Sequence, residues 1–124
     1  FNHVRPVDYV SGALLATPRD LFAELGGFDV DFAPGYYEDT DYCFRLRAIG
    51  YEVLVQPAAT VVHAEGGTAG TDHAVGMKRY QEINRRRFQA RHAAALLRQP
   101  TRPASIDRDS WITLAHRDTA GGQP

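Results

Sequence analysis

The chain has 124 residues, 44% of them hydrophobic and 23% charged, with a formal net charge of -1. That is the size and balance of one globular domain, and a charge so near zero leaves no electrostatic case for nucleic acid as the main partner. No run approaches the ~18 apolar residues of a membrane span, no signal peptide is visible, and the single cysteine, Cys43, excludes an internal disulfide, so a reducing compartment is expected.

Val7–Ala16 reads as a strand, with Val10, Ala13, Leu14 and Leu15 apolar and Gly12 interrupting them. A glycine inside a strand often marks close approach by a ligand or another backbone. A helix follows, with Thr17 as N-cap, Pro18 at its first position, Asp20 in its first turn and Leu21, Phe22 and Leu25 as its apolar stripe. Gly26 closes it in the left-handed conformation, and Gly27 extends the turn. Phe28–Tyr37 is a loop containing Pro34 and Gly35. A second helix runs from near Glu38 to Gly50, its apolar positions Tyr42, Cys43, Leu46 and Ile49 recurring at helical spacing. Tyr51–Val55 reads as a short strand stopped by Pro57, and Ala58–His63 as another. The glycine-rich segment Ala64–Asp72 leads into a long helix from about Val75 to about Arg98. Its polar face carries Lys78, Arg79, Arg85, Arg86, Arg87 and Arg91. From Gln99 onward prolines and polar residues predict a loosely held tail in which Trp111, Ile112 and Leu114 offer local docking. The expected division is a folded part over 1–98 and a tail over 99–124.

The densest chemistry lies in Tyr36-Tyr37-Glu38-Asp39-Thr40-Asp41. Acids packed this tightly repel one another, and a chain that keeps them uses them to cap a helix, bind a cation or move a proton. Stabilisation of the helix start through its dipole accounts for their position alone. The surroundings add a chemical reading, because the two tyrosines offer faces on which a sugar ring can lie. Asp39 precedes Tyr42 and Cys43 by one turn, on the inward stripe. A carboxylate there can take a proton from a substrate hydroxyl within hydrogen-bond reach. Asp41 lies four residues before Arg45 and reads as a supporting helical ion pair, worth ~0.2–0.5 kcal/mol when exposed.

Cys43 reads as a small buried core residue. His63 ends a strand beside glycines that permit approach to phosphates, and it reads either as a structural residue or as a ligand to a diphosphate-bound metal. His3, His73, His92 and His116 read as surface residues. The basic face of the last helix reads as solvated surface, with lipid phosphates or an acidic partner as the alternative.

Four groups of residues then occur in a telling order: Val7-Asp8-Tyr9-Val10-Ser11-Gly12-Ala13; Leu25-Gly26-Gly27-Phe28-Asp29; Tyr37-Glu38-Asp39-Thr40-Asp41 with Arg45 and Gly50-Tyr51; and Pro57 with Val62-His63. Over roughly residues 7–90 the chain resembles the C-terminal half of family-2 glycosyltransferases of the GT-A fold, in particular rhamnosyltransferase-like and O-antigen or polysaccharide-synthesis enzymes. The resemblance implies an α/β fold with a mixed, incomplete sheet flanked by helices. It implies that Asp39 is the general base and that Glu38 binds the acceptor sugar. Gly12 and Ala13 would lie where donor and acceptor meet, Gly26, Gly27 and Phe28 would shape the acceptor side, and Tyr36 and Tyr37 would stack there. His63 would approach the donor diphosphate and its Mg²⁺ or Mn²⁺.

The N-terminal nucleotide-binding half of such enzymes has no counterpart here. No Asp-X-Asp precedes Gly12, and Asp29-Val30-Asp31 falls in the acceptor loop and is not assigned to metal. With Phe1 in place of a methionine, an excised piece of a longer protein is expected, inactive by itself and unable to bind a nucleotide sugar well. Half of an open sheet leaves an exposed edge, which a second copy of the chain would cover in a homodimer. The resulting expectation is an inverting, metal-dependent glycosyltransferase of polysaccharide synthesis. It is expected in the cytoplasm, at the inner face of the membrane if the basic helix meets lipid. Its expected partners are a nucleotide-sugar donor, a saccharide or lipid-linked acceptor and the absent N-terminal half. Two competing readings stand beside it. One is a non-catalytic module that binds carbohydrate or a partner through Tyr36, Tyr37 and Glu38. The other is a metal-dependent hydrolase built on Glu38, Asp39 and His63, which would need several convergent ligands.

Overall fold

A computed structural model of the chain describes residues 3–63 and 71–99, with the backbone alone for 71–75. The described part is α/β. Strand β1 (Arg5–Val7) is followed by a 3-10 turn (Gly12–Leu14), helix α1 (Arg19–Glu24), a second 3-10 turn (Val30–Phe32), helix α2 (Glu38–Ala48), strand β2 (Val53–Val55), helix α3 (Thr71–Arg91) and the short helix α4 (Ala93–Leu97). The two strands pair antiparallel, with Arg5 opposite Val55 and Val7 opposite Val53. Phe32, Phe44 and Phe88 form the buried core where the second 3-10 turn, α2 and α3 meet, with Tyr37, Ala95 and Leu96 packed against them. Tyr42, Cys43, Leu46 and Val53 extend the burial along α2 to β2.

Glycine punctuation shapes both middle helices. After α1 the Gly26 N–H bonds to Ala23 O and the Gly27 N–H to Phe22 O at 2.8 Å; after α2 the Gly50 N–H bonds to Arg47 O and the Tyr51 N–H to Leu46 O. Both are Schellman closures, with Gly26 and Gly50 at the left-handed position (φ +77° and +94°). Gly27 is constrained twice over. Its φ is +70°, and a Cβ there would meet the Phe22 ring at 3.1 Å.

Several expectations are corrected. Val7–Ala16 is not one strand: β1 ends at Val7, and Gly12–Leu14 forms a 3-10 turn capped by the Ser11 hydroxyl. Pro18, not Thr17, is the N-cap of α1, because Thr17 Oγ1 is bonded to the Tyr42 hydroxyl at 2.8 Å. Ala58–His63 is not a strand; it has no ladder partner and its residues are exposed. The sheet among the described residues is a two-stranded antiparallel ribbon, where a mixed sheet was expected. The long helix starts at Thr71 and breaks at His92 into α3 and α4. Ile49 is exposed rather than part of the core stripe. The glycine-rich segment over 64–70 and the tail beyond residue 99 lie outside the described residues.

The largest correction concerns Asp41. It is fully buried, and its carboxylate gathers three partners: Arg45 Nε at 2.7 Å, His92 Nε2 at 2.8 Å and an Arg91 guanidinium nitrogen at 3.2 Å. Arg45 also donates to the carbonyls of Leu25 and Gly27, both at 2.7 Å, so α2 is tied to the end of α1. Arg91 reaches on to Asp29 at 2.7 Å and Asp31 at 2.9 Å. The Asp31 backbone N–H and the Arg91 guanidinium hold the Asp29 carboxyl below its usual range. His92 is likewise not a surface residue, since its ring lies between Phe44 and Phe88 at 5.2 and 4.9 Å. The basic face of α3 is partly engaged as well. Arg85 and Arg86 pair with Glu82, and Arg87 donates to Asp31 O and Asn84 Oδ1.

Candidate functional site

Asp39 is half-buried at the start of α2. Its Oδ2 accepts the Gly12 N–H at 2.7 Å, while Oδ1 accepts the Thr40 N–H at 2.7 Å and the Thr40 hydroxyl at 3.2 Å. A Cβ on residue 12 would sit in ordinary van der Waals contact with Asp39 Cβ, at 3.4 Å. An ionised carboxylate has about four acceptor positions. Three are filled, and the open one is on Oδ2, beside Gly12. Asp39 makes no ion pair among the described residues. The deepest carboxylate of α2 is therefore Asp41, whose desolvation is compensated by cations, and Asp39 keeps a free acceptor position.

The segment before it is unusual. Tyr36 and Tyr37 both have positive φ, 73° and 72°, a conformation costly for bulky residues and held only where the surroundings impose it. Tyr37 is the N-cap position of α2, and its ring lies 5.4 Å from that of Phe88. Glu38 leaves one carboxylate oxygen, Oε2, buried without a hydrogen-bond partner. A buried acceptor left open is costly and marks a place where a donor is missing.

Beside this segment a hollow of ≈ 300 Å³ is lined by Tyr9, Tyr36, Tyr37, Gln81, Phe44 and Phe88 among others. A larger hollow of ≈ 620 Å³ lies over β1, β2 and α4, lined by Arg47, Glu52, His92 and Arg98 among others. The two share Asp8, Phe44 and Gln99. Asp39 lines neither, although its neighbour Thr40 lines the smaller.

The structure thus brings Gly12 onto Asp39, with Ala13 in the same 3-10 turn as Gly12, while Tyr36 and Tyr37 line the smaller hollow, which neither Glu38 nor Asp39 lines. Gly27 belongs to the Arg45 staple and does not touch Asp39. His63 is exposed and joins none of these residues, and among the described residues no three His, Cys, Asp or Glu side chains are grouped to hold a metal. The residues described do not by themselves fit a divalent-cation site. Sequence reasoning missed Asn84, which is fully buried and donates from Nδ2 to the carbonyls of Phe32, Gly35 and Tyr36 at 2.8, 2.8 and 3.2 Å. An asparagine at an inward helical position between Tyr80 and Phe88 was the available signal.

Comparison with known proteins places this geometry in context. The chain is 37% identical over 70 residues to an N-acetylglucosaminyl-diphospho-decaprenol L-rhamnosyltransferase of Mycobacterium tuberculosis, a match covering 56% of the chain and 22% of that protein. It is 38% identical over 53 residues to a galactofuranosyl glycosyltransferase of Leishmania donovani, covering 43% of the chain and 12% of that protein. The matched part thus spans about a fifth or less of the length of these curated relatives. No family model matches the chain. No solved structure matches it. No helix among the described residues is long and apolar enough to cross a membrane.

Proposed function

We propose that the chain carries the acceptor-side part of an inverting, family-2 glycosyltransferase of the GT-A fold, which moves a sugar from a nucleotide-sugar donor to a saccharide or lipid-linked acceptor in glycan synthesis. The observation that carries the reading is the seat of Asp39. Two backbone N–H groups hold the carboxylate, and the Oδ2 position beside Gly12 stays open. The similarity to two named glycosyltransferases supports the same reading.

In this mechanism the acceptor hydroxyl gives its proton to Asp39 Oδ2. The resulting oxygen forms a bond to the anomeric carbon as the bond to the nucleoside diphosphate breaks on the opposite face. Because Gly12 and Thr40 hold the carboxylate in advance, little of its freedom is lost when the acceptor arrives. Glu38, next to Asp39 in the chain, is the residue offered to the acceptor sugar. Tyr36 and Tyr37 line the hollow where the ring would stack. Mg²⁺ or Mn²⁺ belongs to the donor side of the proposal, with His63 the one residue of this chain offered to it.

Asp39→Asn in the full-length enzyme tests the reading. Asparagine keeps the shape but cannot take the proton, so turnover should fall roughly 10²- to 10⁴-fold while donor affinity stays unchanged. Turnover at the wild-type level would remove Asp39 from the chemistry.

A further inference from the structure

We propose that Asn84 is a positioning residue for Asp39: its buried carboxamide fixes residues 32–37, and through them the first turn of α2 that seats the carboxylate on Gly12. The inference rests on reading Asp39 as the base.

Residues 32–37 run between a 3-10 turn and a helix, so no ladder satisfies their carbonyls. Asn84 does so from the opposite side of the core. Its single side-chain nitrogen is within 2.8 Å of Phe32 O and of Gly35 O and 3.2 Å from Tyr36 O. An amide nitrogen carries two hydrogens, so the three carbonyls share them. The amide cannot flip without facing its oxygen to three oxygens, and Arg87 donates to Oδ1 at 2.9 Å, which holds it in this sense. The nearest replacements fail this set of demands. Aspartate has no donor, leucine has neither donor nor acceptor, and glutamine is one methylene too long for a site with no exposed surface.

The consequence passes along the chain. The third carbonyl bound is that of Tyr36, the first of two residues at positive φ. The carbonyl of the second, Tyr37, accepts the Asp41 N–H at 2.8 Å, the bond that opens α2. Two strained residues in succession keep their conformation only when neighbours impose it, and Asn84 is bonded at the point where they begin. Loosening that anchor lets α2 begin elsewhere, and Asp39 then leaves Gly12.

The test reads the Gly12 amide, whose bond to Asp39 Oδ2 reports the seat directly. In the ¹⁵N-labelled 124-residue chain, Asn84→Asp removes both donors at constant size. Gly12 should lose protection from hydrogen exchange by about tenfold or more. The Gly27 and Tyr51 amides, bonded in the two Schellman closures, should keep theirs. In the full-length enzyme the same substitution should lower kcat roughly 10- to 100-fold with the donor KM unchanged. If Gly12, Gly27 and Tyr51 lose protection together, Asn84 is a fold residue and the inference is overturned; it is overturned too if Gly12 stays protected. Should Asn84→Asp fail to fold, Arg87→Ala removes the exposed guanidinium that orients the amide, together with its bond to Asp31 O. It should weaken Gly12 protection in the same selective way, and an unchanged Gly12 amide would again overturn the inference. A full-length Asp39→Asn that still turns over, beside selective loss at Gly12 in the Asn84 variant, would leave the anchor standing and remove the function read into it.

Discussion

Asp41 and Asp39 stand two positions apart on the same helix and do opposite things. Both belong to the acid-rich first turn that favours a helix start. Asp41 is at 0% exposure and surrounded by Arg45, Arg91 and His92. It joins the end of α1, the Asp29–Asp31 turn and the break between α3 and α4 at one carboxylate. Removing that carboxylate leaves Arg45 with the Leu25 and Gly27 carbonyls, Arg91 with Asp29 and Asp31, and His92 without its acid. Asp41→Ala should therefore destabilise the chain by about 1.5–3 kcal/mol, read from urea unfolding. A loss near 1 kcal/mol or below is what an exposed pair gives, and it would mean that water replaces the carboxylate at little cost. Cys43, two residues on, is 1% exposed, and burial pushes its thiol up from the usual cysteine range, as suits a packing residue.

At the scale of elements, the two tyrosines before α2 set a conflict between local preference and tertiary demand. A left-handed residue with a side chain costs ~1–2 kcal/mol relative to the right-handed form. Tyr36 is 37% exposed, so replacing it removes little buried surface. Tyr36→Gly should leave thermal stability at or slightly above that of the parent, because glycine adopts φ +73° freely. Tyr36→Val should lower stability by about 1–2 kcal/mol, since a β-branched residue is the least tolerant of that region. Equal melting of the two variants would show that the turn is not held left-handed in solution. Such a conformation is invisible in the sequence, where Gly35 is the residue that invites positive φ. What was legible follows the same logic. Gly26 and Gly50 mark helix ends because a left-handed closure there needs glycine, and both ends fall where the spacing places them. The Glu38 start of α2 was legible from its acids. The short strand read over Tyr51–Val55 was legible, and β2 forms within it; β1 was not, because a pairing of three residues with three depends on partners about fifty positions away, and local apolar character over Val7–Ala16 served a 3-10 turn instead. Asp41 was misread because an (i, i+4) pair looks the same whether solvent or a second arginine and a histidine surround it. Asn84 was missed for the same reason: its partners are backbone carbonyls, which leave no trace in side-chain patterns.

For the molecule as a whole, the distribution of charge bears on where the proposed donor could bind. A nucleotide sugar brings a diphosphate, which needs cationic side chains, a metal or converging backbone N–H groups. The smaller hollow has no Lys or Arg in its wall, and carries Asp8 instead. The larger hollow has Arg47 and Arg98, but Arg47 is paired with Asp8 at 2.7 Å and Glu52 stands in the same wall. The most strongly basic surface, on α3, has Arg85 and Arg86 closed on Glu82, which they hold down to about 2. On the proposed function, titration calorimetry of the 124-residue chain with UDP-sugars and dTDP-sugars should therefore give no measurable heat of binding. The two hollows share a wall at Asp8, Phe44 and Gln99, which sharpens the opposite outcome. Tight binding by the isolated chain, lost on Arg47→Ala, would put the diphosphate in the larger hollow and the acceptor in the smaller. It would then transfer the donor site to this chain and overturn its assignment as the acceptor side alone.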